Sequence, residues 1–262
     1  MINRAPLILT RPVAQAQPLA RRLTELGYPV VLFPLLDIAA LPVASDEMTH
    51  LLTALDNLNQ YAMAVFVSPN AIHAVFETGL SWPSDVAIAV MGEGSRVALA
   101  QYGINDSNTR IVSPTDPFRS DSETLLENLD CTALTGKTVV IFRSESGREL
   151  LADALTSRGI SVEKVVAYQR LVPTLTSEHV KQLTELLTCS GCWIVSSSEA
   201  LRTLEEMVMQ TGGSAAVVKL HQVNLWVSHQ RIAQNAENSG FKQVRLIGSG
   251  DENLLLALQS CL

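Results

Sequence analysis

Residues 7–33 read LILTRPVAQAQPLARRLTELGYPVVLF, and this stretch decides the fold class. The apolar run at 7–10 predicts a buried strand, and the amphipathic stretch 14–26 predicts a helix that ends at Gly27. A second apolar run follows at 30–33. A strand, a helix and a second strand in this order are typical of a βαβ unit around a parallel sheet.

The alternation of short apolar runs and amphipathic stretches continues to the end of the chain. Predicted strands cover residues 64–67, 86–91, 111–112, 138–142, 162–168, 193–195, 225–227 and 244–247. Predicted helices cover residues 70–76, 95–102, 122–129, 148–158, 199–208, 232–238 and 253–258. The fold class is therefore α/β, with parallel sheets flanked by helices.

Parts of the sequence resemble each other at long intervals. Residues 140–166 repeat the order of strand, helix, glycine and strand seen at 7–33. In the same way, VSPNA at 67–71 is similar to SSSEA at 196–200. These repeats predict two similar α/β units.

Two segments have no helical periodicity and are predicted to connect the units. Residues 34–42 begin and end with proline, and residues 165–173 are β-prone and also end with proline. If both segments cross between the units, the two domains are joined by two strands and can hinge about a cleft.

The composition excludes several classes of protein. With 47% hydrophobic and 17% charged residues among 262, the chain can bury a core. The net charge of −7 and the lack of a Lys/Arg block argue against binding to nucleic acid or to a membrane surface. No apolar run reaches the roughly 20 residues of a membrane helix, and no signal peptide precedes the first strand, so we expect a cytoplasmic protein. Four cysteines are too few for a disulfide framework.

Small polar residues and arginines follow the predicted strands, where the chain enters a helix. Ligands of open α/β sheets bind at these carboxyl ends, where helix N-termini offer free N–H groups and a partial positive charge. An anionic ligand with several acidic groups would suit such an edge. The candidate substrate-binding residues are Thr10, Arg11, Ser68, Asn70, Gly92, Ser95, Arg143, Arg148, Ser196, Ser197 and Ser228.

Each candidate also has a purely structural interpretation. A Ser, Thr or Asn before a helix is commonly an N-cap, and a surface arginine commonly pairs with a nearby carboxylate. Tyr168, in the second connecting segment, is a candidate general acid. A buried strand tyrosine with a bonded hydroxyl is the more common case.

Motifs for cofactors and metals are incomplete. GEGSRV at 92–97 lacks the third glycine of a dinucleotide fingerprint and the acidic residue that should follow. Cys189 and Cys192 form a C-x-x-C that precedes a strand, whereas redox pairs lie at a helix N-terminus. The nearest histidines, His179 and His221, do not have the spacing of zinc ligands. We therefore predict no metal and no cofactor.

Several motifs stand in the order of a known family. They are LTRP at 9–12, Gly27-x-x-Val30-x-x-x-Pro34-Leu35-Leu36, FVSPNA at 66–71, VMG at 90–92, SETLL at 122–126, Gly147-Arg148, Tyr168-x-Arg170 and SSS at 196–198. With these motifs the chain resembles the uroporphyrinogen-III synthase family nearly from end to end.

The resemblance implies two α/β domains joined by a two-stranded connector, with a cleft between them. The first domain would be discontinuous and would comprise residues 1–36 and 172–262. The second would comprise residues 37–171, including the connector strands. The halves of the sequence repeat would then differ from the domains.

The resemblance also implies a reaction. It would be that of a cofactor-free hydro-lyase of tetrapyrrole and heme biosynthesis, which cyclises the linear tetrapyrrole hydroxymethylbilane with loss of water. Ring D is inverted through a spiro intermediate, and the product is uroporphyrinogen III. The eight carboxylates of the substrate fit an edge rich in N–H and hydroxyl donors, and Tyr168 matches the family's candidate acid. A monomer is the default, and transient contact with the preceding enzyme of the pathway is an open alternative.

Two segments depart from the family pattern. EGSR at 93–96 stands where a Thr-Ala pair is common, and SHQR at 228–231 replaces a Ser/Thr cluster only loosely. A non-enzymatic bilobal sensor or small-molecule binding protein is the main alternative function. A nicotinamide-dependent oxidoreductase is disfavoured by the incomplete fingerprint.

Overall fold

The structure is a computed structural model that describes residues 4–114, 122–147 and 149–260. These residues form two compact units. The first unit consists of the described residues up to Asp37 and from Leu171 onwards, and the second unit of those from Ile38 to Arg170. Each unit has a largely parallel sheet with helices packed on it, which confirms the predicted α/β class. None of the described helices is long and apolar enough to cross a membrane.

Strands and helices alternate along almost the whole chain. The strands are β1 (Leu7–Leu9), β2 (Val30–Leu32), β3 (Asp37–Ala39), β4 (Met63–Phe66), β5 (Ala87–Val90), β6 (Ile111–Val112), β7 (Thr138–Ser144), β8 (Ser161–Leu171), β9 (Cys192–Val195), β10 (Asn224–Val227) and β11 (Gln243–Leu246). The helices are α1 (Val13–Glu25), α2 (Asp46–Asp56), α3 (Pro69–Phe76), α4 (Glu93–Gln101), α5 (Ser122–Asn128), α6 (Cys131–Leu134), α7 (Leu150–Thr156), α8 (Ser177–Leu186), α9 (Ser198–Leu220), α10 (Gln230–Ser239) and α11 (Asp251–Gln259).

The two sheets share one strand order. The first unit has the order β11-β10-β9-β1-β2, and the second has β3-β8-β7-β4-β5-β6. Apart from β3, the sheets match when β1 is paired with β7, β2 with β8 and β9 with β4. The chain enters them differently, because β1 and β2 come first in the first unit whereas β7 and β8 come last in the second. This circular permutation explains why the sequence repeat aligns 7–33 with 140–166.

Both faces of the first sheet are buried, and β1 shows why its sequence is an unbroken apolar run. Leu7 and Leu9 belong to the apolar cluster formed with α1 and α11. Ile8 belongs to the opposite cluster, formed with α8, α9 and α10. Because successive side chains of a strand point to opposite faces, a strand covered on both sides needs an apolar residue at every position.

The structure contains two long helical segments that the sequence analysis missed, α2 and α8. Each begins at a capping side chain: Ser45 Oγ accepts the Met48 N–H at 3.1 Å, and Thr176 Oγ1 accepts the His179 N–H at 3.2 Å. Acidic residues follow both caps, so a sequence signal for each helix start was present. The predicted end of the helix at 208 was also wrong, because helical structure continues past 208, and after the non-helical Gly213 a second helical segment reaches Leu220.

A buried tyrosine ties α2 and the following turn to β8. Glu163 of β8 accepts a hydrogen bond from Tyr61 Oη at 2.7 Å, and its other oxygen lies 2.9 Å from Nε2 of His50 in α2. Burial raises the pKa of the Tyr61 phenol, and the hydrogen bond to Glu163 and its charge raise it further. The folded protein therefore keeps this proton to higher pH than the unfolded chain does.

We expect Tyr61→Phe to destabilise the protein by about 1 kcal/mol at pH 8, because Glu163 loses a donor in a partly exposed site. The deficit should narrow above about pH 10, the ordinary range of a tyrosine. In this pH range the unfolded wild-type chain releases the Tyr61 proton while the folded protein keeps it. The wild type therefore loses this contribution to its stability, and the variant, which has no phenol at this position, does not. Thermal unfolding of both proteins at pH 8 and at about pH 10.5 measures the difference in stability between wild type and variant. An equal difference at both pH values would contradict the prediction.

Candidate functional site

Each sheet contains two neighbouring strands from which the chain moves on towards opposite edges of the sheet. In the first unit, β1 continues through α1 to β2 on one side, while β9 on the other side continues to β10 and β11. In the second unit the corresponding point lies between β4 and β7. Ligands of open α/β sheets bind outside the carboxyl ends of the strands at such points. We call the carboxyl ends of β1 and its neighbours the first edge, and those of β4 and its neighbours the second edge.

Three of the four predicted hydroxyl residues at the first edge have side-chain hydrogen bonds within the unit. Thr10, only 2% exposed, donates from Oγ1 to the carbonyl oxygen of Ile194 at 2.7 Å. Ser197 caps α9, where its Oγ accepts the N–H of the third helical residue at 3.0 Å. Ser228 donates to the carbonyl oxygen of Ser196 at 3.3 Å. The structure thus places four predicted residues at one edge, namely Thr10, Ser196, Ser197 and Ser228, and the side chains of Thr10, Ser197 and Ser228 already have structural bonds.

The arginines predicted to grip a ligand carboxylate have local partners. Nη1 of Arg11 donates to Oδ1 of Asp251, the first residue of α11, at 2.6 Å. Nη1 of Arg143 donates to Oε1 of Glu149 at 2.7 Å. These pairs match the structural interpretation of both residues. Arg148 lies outside the described residues.

Glu149 pairs with two cations at the end of β7. Besides Arg143, Lys164 donates from Nζ to Oε2 of Glu149 at 2.9 Å. These two hydrogen bonds, with that from Lys164 the stronger influence, lower the pKa of Glu149 below its usual range. Gly147 favours the arrangement, because a Cβ on it would lie 3.1 Å from Nη2 of Arg143. An incoming carboxylate would therefore have to compete with an ionised Glu149 for Arg143.

The second edge joins a helix cap to a tyrosine. Ser68 caps α3, where its Oγ accepts the N–H of the third helical residue at 3.3 Å, and Asn70 is the second residue of that helix. Oη of Tyr168 lies 3.0 Å from this Oγ, and Nη2 of Arg170 donates to Oη at 3.1 Å. The register pairs Tyr168 with Ser144 at the end of β7. The phenol therefore reaches past the end of β7 to the N-terminus of α3.

Tyr168 is 1% exposed, and its ring belongs to the apolar core of the second unit. Its surroundings are those of a buried strand tyrosine with a bonded hydroxyl. A proton from this phenol would thus have to leave through one of the polar groups that contact it.

The start of α4 carries two further predicted residues. Gly92 directly precedes the helix, and Ser95 is its third residue and is buried. Arg96, unexpected for the family pattern, forms an ion pair with Asp106 and donates to Oγ of Ser113 at 3.3 Å. This arginine therefore has a structural role, because it ties α4 to the segment that follows it.

Three residues at the edges were not among the predicted site residues. Arg170 contacts the Tyr168 hydroxyl, and its spacing was a usable signal, because residues two apart on a strand share a face. At the ends of β10 and β11, Nε2 of His229 lies 3.1 Å from Oγ of Ser249. That pair brings together two loops distant in sequence, which the motif analysis did not connect.

In residues 4–114, 122–147 and 149–260, no three His, Cys, Asp or Glu side chains lie close enough together to hold a metal ion.

Comparison with known sequences identifies relatives along nearly the whole chain. The family model described as uroporphyrinogen-III synthase HemD (HEM4) matches residues 17–246. Uroporphyrinogen-III synthase of Salmonella typhimurium is 29% identical, and the alignment covers 97% of this chain and 99% of that protein. The enzyme of Escherichia coli K12 is 28% identical with the same coverage of both chains.

Solved structures show the same fold at lower sequence identity. A mutant uroporphyrinogen III synthase of Thermus thermophilus superimposes with a TM-score of 0.60 at 16% identity, covering 98% of both chains. Uroporphyrinogen-III synthetase of Helicobacter pylori gives a TM-score of 0.60 at 14% identity, covering 98% of this chain and 99% of that one.

The Thr10 hydroxyl should stabilise the junction of β1 and β9. We expect Thr10→Val, which keeps the branched shape but removes the donor, to lower the free energy of unfolding by about 1 kcal/mol. Thr10→Ser keeps the hydroxyl and should retain most of the stability. Chemical denaturation of the three proteins, followed by tryptophan fluorescence, checks the order. A valine variant as stable as wild type would show that the hydrogen bond does not contribute.

Proposed function

The chain belongs to the uroporphyrinogen-III synthase family, and from this membership we propose that it cyclises hydroxymethylbilane to uroporphyrinogen III, with loss of water and inversion of ring D. The observation that carries the proposal is the family match over residues 17–246. The two relatives of the same name that align with 97% of the chain support it.

The chemistry of the two edges supports binding of a ligand with many carboxylates. The N-termini of α3, α4, α9, α10 and α11 begin at the carboxyl ends of strands. Each offers backbone N–H groups and a partial positive charge, which favour anions without requiring a net basic protein. We propose that carboxylates of the substrate bind at these termini and at the predicted residues beside them. Arg11 and Arg143 would contribute by exchanging their present carboxylate partners for those of the substrate.

The reaction needs departure of a hydroxyl group and control of ring closure. Loss of the terminal hydroxyl leaves an azafulvene cation, and ring D at the far end of the same chain attacks this cation to form the spiro intermediate. We propose that the Tyr168 phenol is the source of acid for this departure, directly or through a group that it contacts, and that the enzyme is a hydro-lyase that needs no cofactor. Since hydroxymethylbilane also cyclises unaided to the wrong isomer, holding the chain in the right conformation would be the larger contribution.

The instability of the substrate also bears on cellular context. We propose that the chain acts in the cytoplasm as a monomer and receives hydroxymethylbilane through transient contact with the enzyme that makes it. Rapid transfer would limit unaided cyclisation. We expect the protein to bind neither nucleic acid nor a membrane.

The direct test is a coupled assay in which hydroxymethylbilane is generated in situ and the oxidised porphyrin isomers are separated by chromatography. We expect the type III isomer to dominate with folded protein and the type I isomer with heat-unfolded protein. If folded protein gave only type I, the enzyme proposal would fail, and the alternative of a non-enzymatic small-molecule binding or sensor protein would take its place.

Tyr168→Phe tests the proton source in the same assay. We expect kcat for type III formation to fall by about 10²- to 10⁴-fold, the usual contribution of a general acid. Tyr61→Phe is the matched control, because it removes a buried tyrosine hydroxyl from the same unit away from the second edge. If both variants lost the same modest factor, the effect of Tyr168→Phe would be structural.

A further inference from the structure

The hydrogen bonds around Tyr168 determine which way its proton points. A guanidinium group donates and never accepts, so the bond from Arg170 makes the phenol oxygen an acceptor. Among the described residues, the other partner of this oxygen is Oγ of Ser68. If Ser68 donated to the phenol, the phenol proton would lack an acceptor in a side chain that is 1% exposed. That arrangement is costly, so the phenol donates to Ser68.

The bonds of Ser68 then direct a second proton outward. A serine hydroxyl has one proton and two lone pairs. One lone pair accepts the backbone N–H of Ala71, and the other accepts the phenol proton of Tyr168. The Ser68 proton is therefore left to be donated to a group outside this cluster. Ser68 is half-buried whereas Tyr168 is buried, so a ligand at the second edge meets the serine hydroxyl.

We propose that Ser68 is the catalytic residue that protonates the departing hydroxyl of the substrate, and that Tyr168 acts through it. This inference rests on the proposed synthase function. Tyr168 is then a positioning residue, which fixes the direction of the Ser68 hydroxyl and replaces its proton.

The step balances without a co-reactant. As the carbon–oxygen bond of the hydroxymethyl group breaks, the proton of Ser68 passes to the leaving oxygen and forms water. The phenol proton of Tyr168 passes to Ser68, so the products are water, the azafulvene cation and a phenolate beside the positive charge of Arg170. The substrate releases one proton when its last pyrrole ring becomes aromatic again, and this proton restores the phenol.

The experiment measures type III formation by wild type and by Ser68→Ala, Ser68→Thr, Tyr168→Phe and the Ser68→Ala/Tyr168→Phe double variant. We expect kcat of Ser68→Ala to fall by about 100-fold or more, while Ser68→Thr, which keeps the hydroxyl and the cap, stays within about tenfold of wild type. The double variant should be no more than about threefold slower than Ser68→Ala, because residues that act in one chain are not additive.

The matched control for Ser68→Ala is Ser45→Ala, which removes the N-cap of α2 in the same unit. Its thermal unfolding temperature should fall by a similar amount, because both variants lose an N-cap, and it should keep its activity. If Ser68→Ala were as active as Ser45→Ala, Ser68 would not be the donor. If the double variant lost the product of the two single effects, the residues would act independently and the relay would be wrong.

Rates in mixtures of light and heavy water test the relay by a route that a structural role would not affect. Wild type should show a curved dependence of rate on deuterium fraction, because two protons move together, and Tyr168→Phe a linear one. A linear dependence in wild type would overturn the relay. Failure of wild type to make any type III isomer would instead overturn the proposed function, so the two failures are distinguishable.

Discussion

Burial of both faces determines where a parallel sheet can hold polar chemistry. Three consecutive residues of β1, Leu7, Ile8 and Leu9, are each at most 3% exposed, because helices cover the strand on both sides. A polar side chain there would lose water without gaining a partner, which costs free energy. Polar groups therefore gather where the strands end and the covering helices begin. The same N–H groups that a helix leaves unpaired at its start are those that attract an anion.

The circular permutation makes the two edges equal in architecture and different in chemistry. Ser197 and Ser68 follow corresponding strands, β9 and β4, and both cap the next helix. In the first unit, β2 corresponds to β8 but is short, and Phe33 and Pro34 follow it. In the second unit, β8 is long enough to carry Tyr168 to the edge. The first edge thus presents helix N-termini and hydroxyl groups, while the second edge adds a phenol.

The fold could be predicted largely from local sequence, and the contacts of the site could not. Buried strands form apolar runs, and helices on one side of a sheet show helical periodicity, so element type and order follow from short windows. The starts of α2 and α8 were also predictable from local sequence, because Ser45 and Thr176 cap them through bonds to residues three positions ahead. Contacts at the edges join distant segments: Arg11 pairs with Asp251 at the other end of the chain. No short window carries that information, because strand order decides which loops meet.

The contact between Ser68 and Tyr168 also joins distant segments and could not be predicted from short windows of sequence. Ser68 and Tyr168 were both predicted, one as a binding residue and one as an acid, but the two residues that share this hydrogen bond are 100 positions apart in the sequence. Nor does residue type reveal that the tyrosine is buried behind the serine. Once the bond is known, the N-cap and ligand interpretations of Ser68 cease to exclude each other. Accepting the N–H of Ala71 occupies one lone pair, and this occupation is what leaves the hydroxyl with a single outward direction. A cap that stabilises the helix thereby also orients the proton, so stability and chemistry depend on one atom.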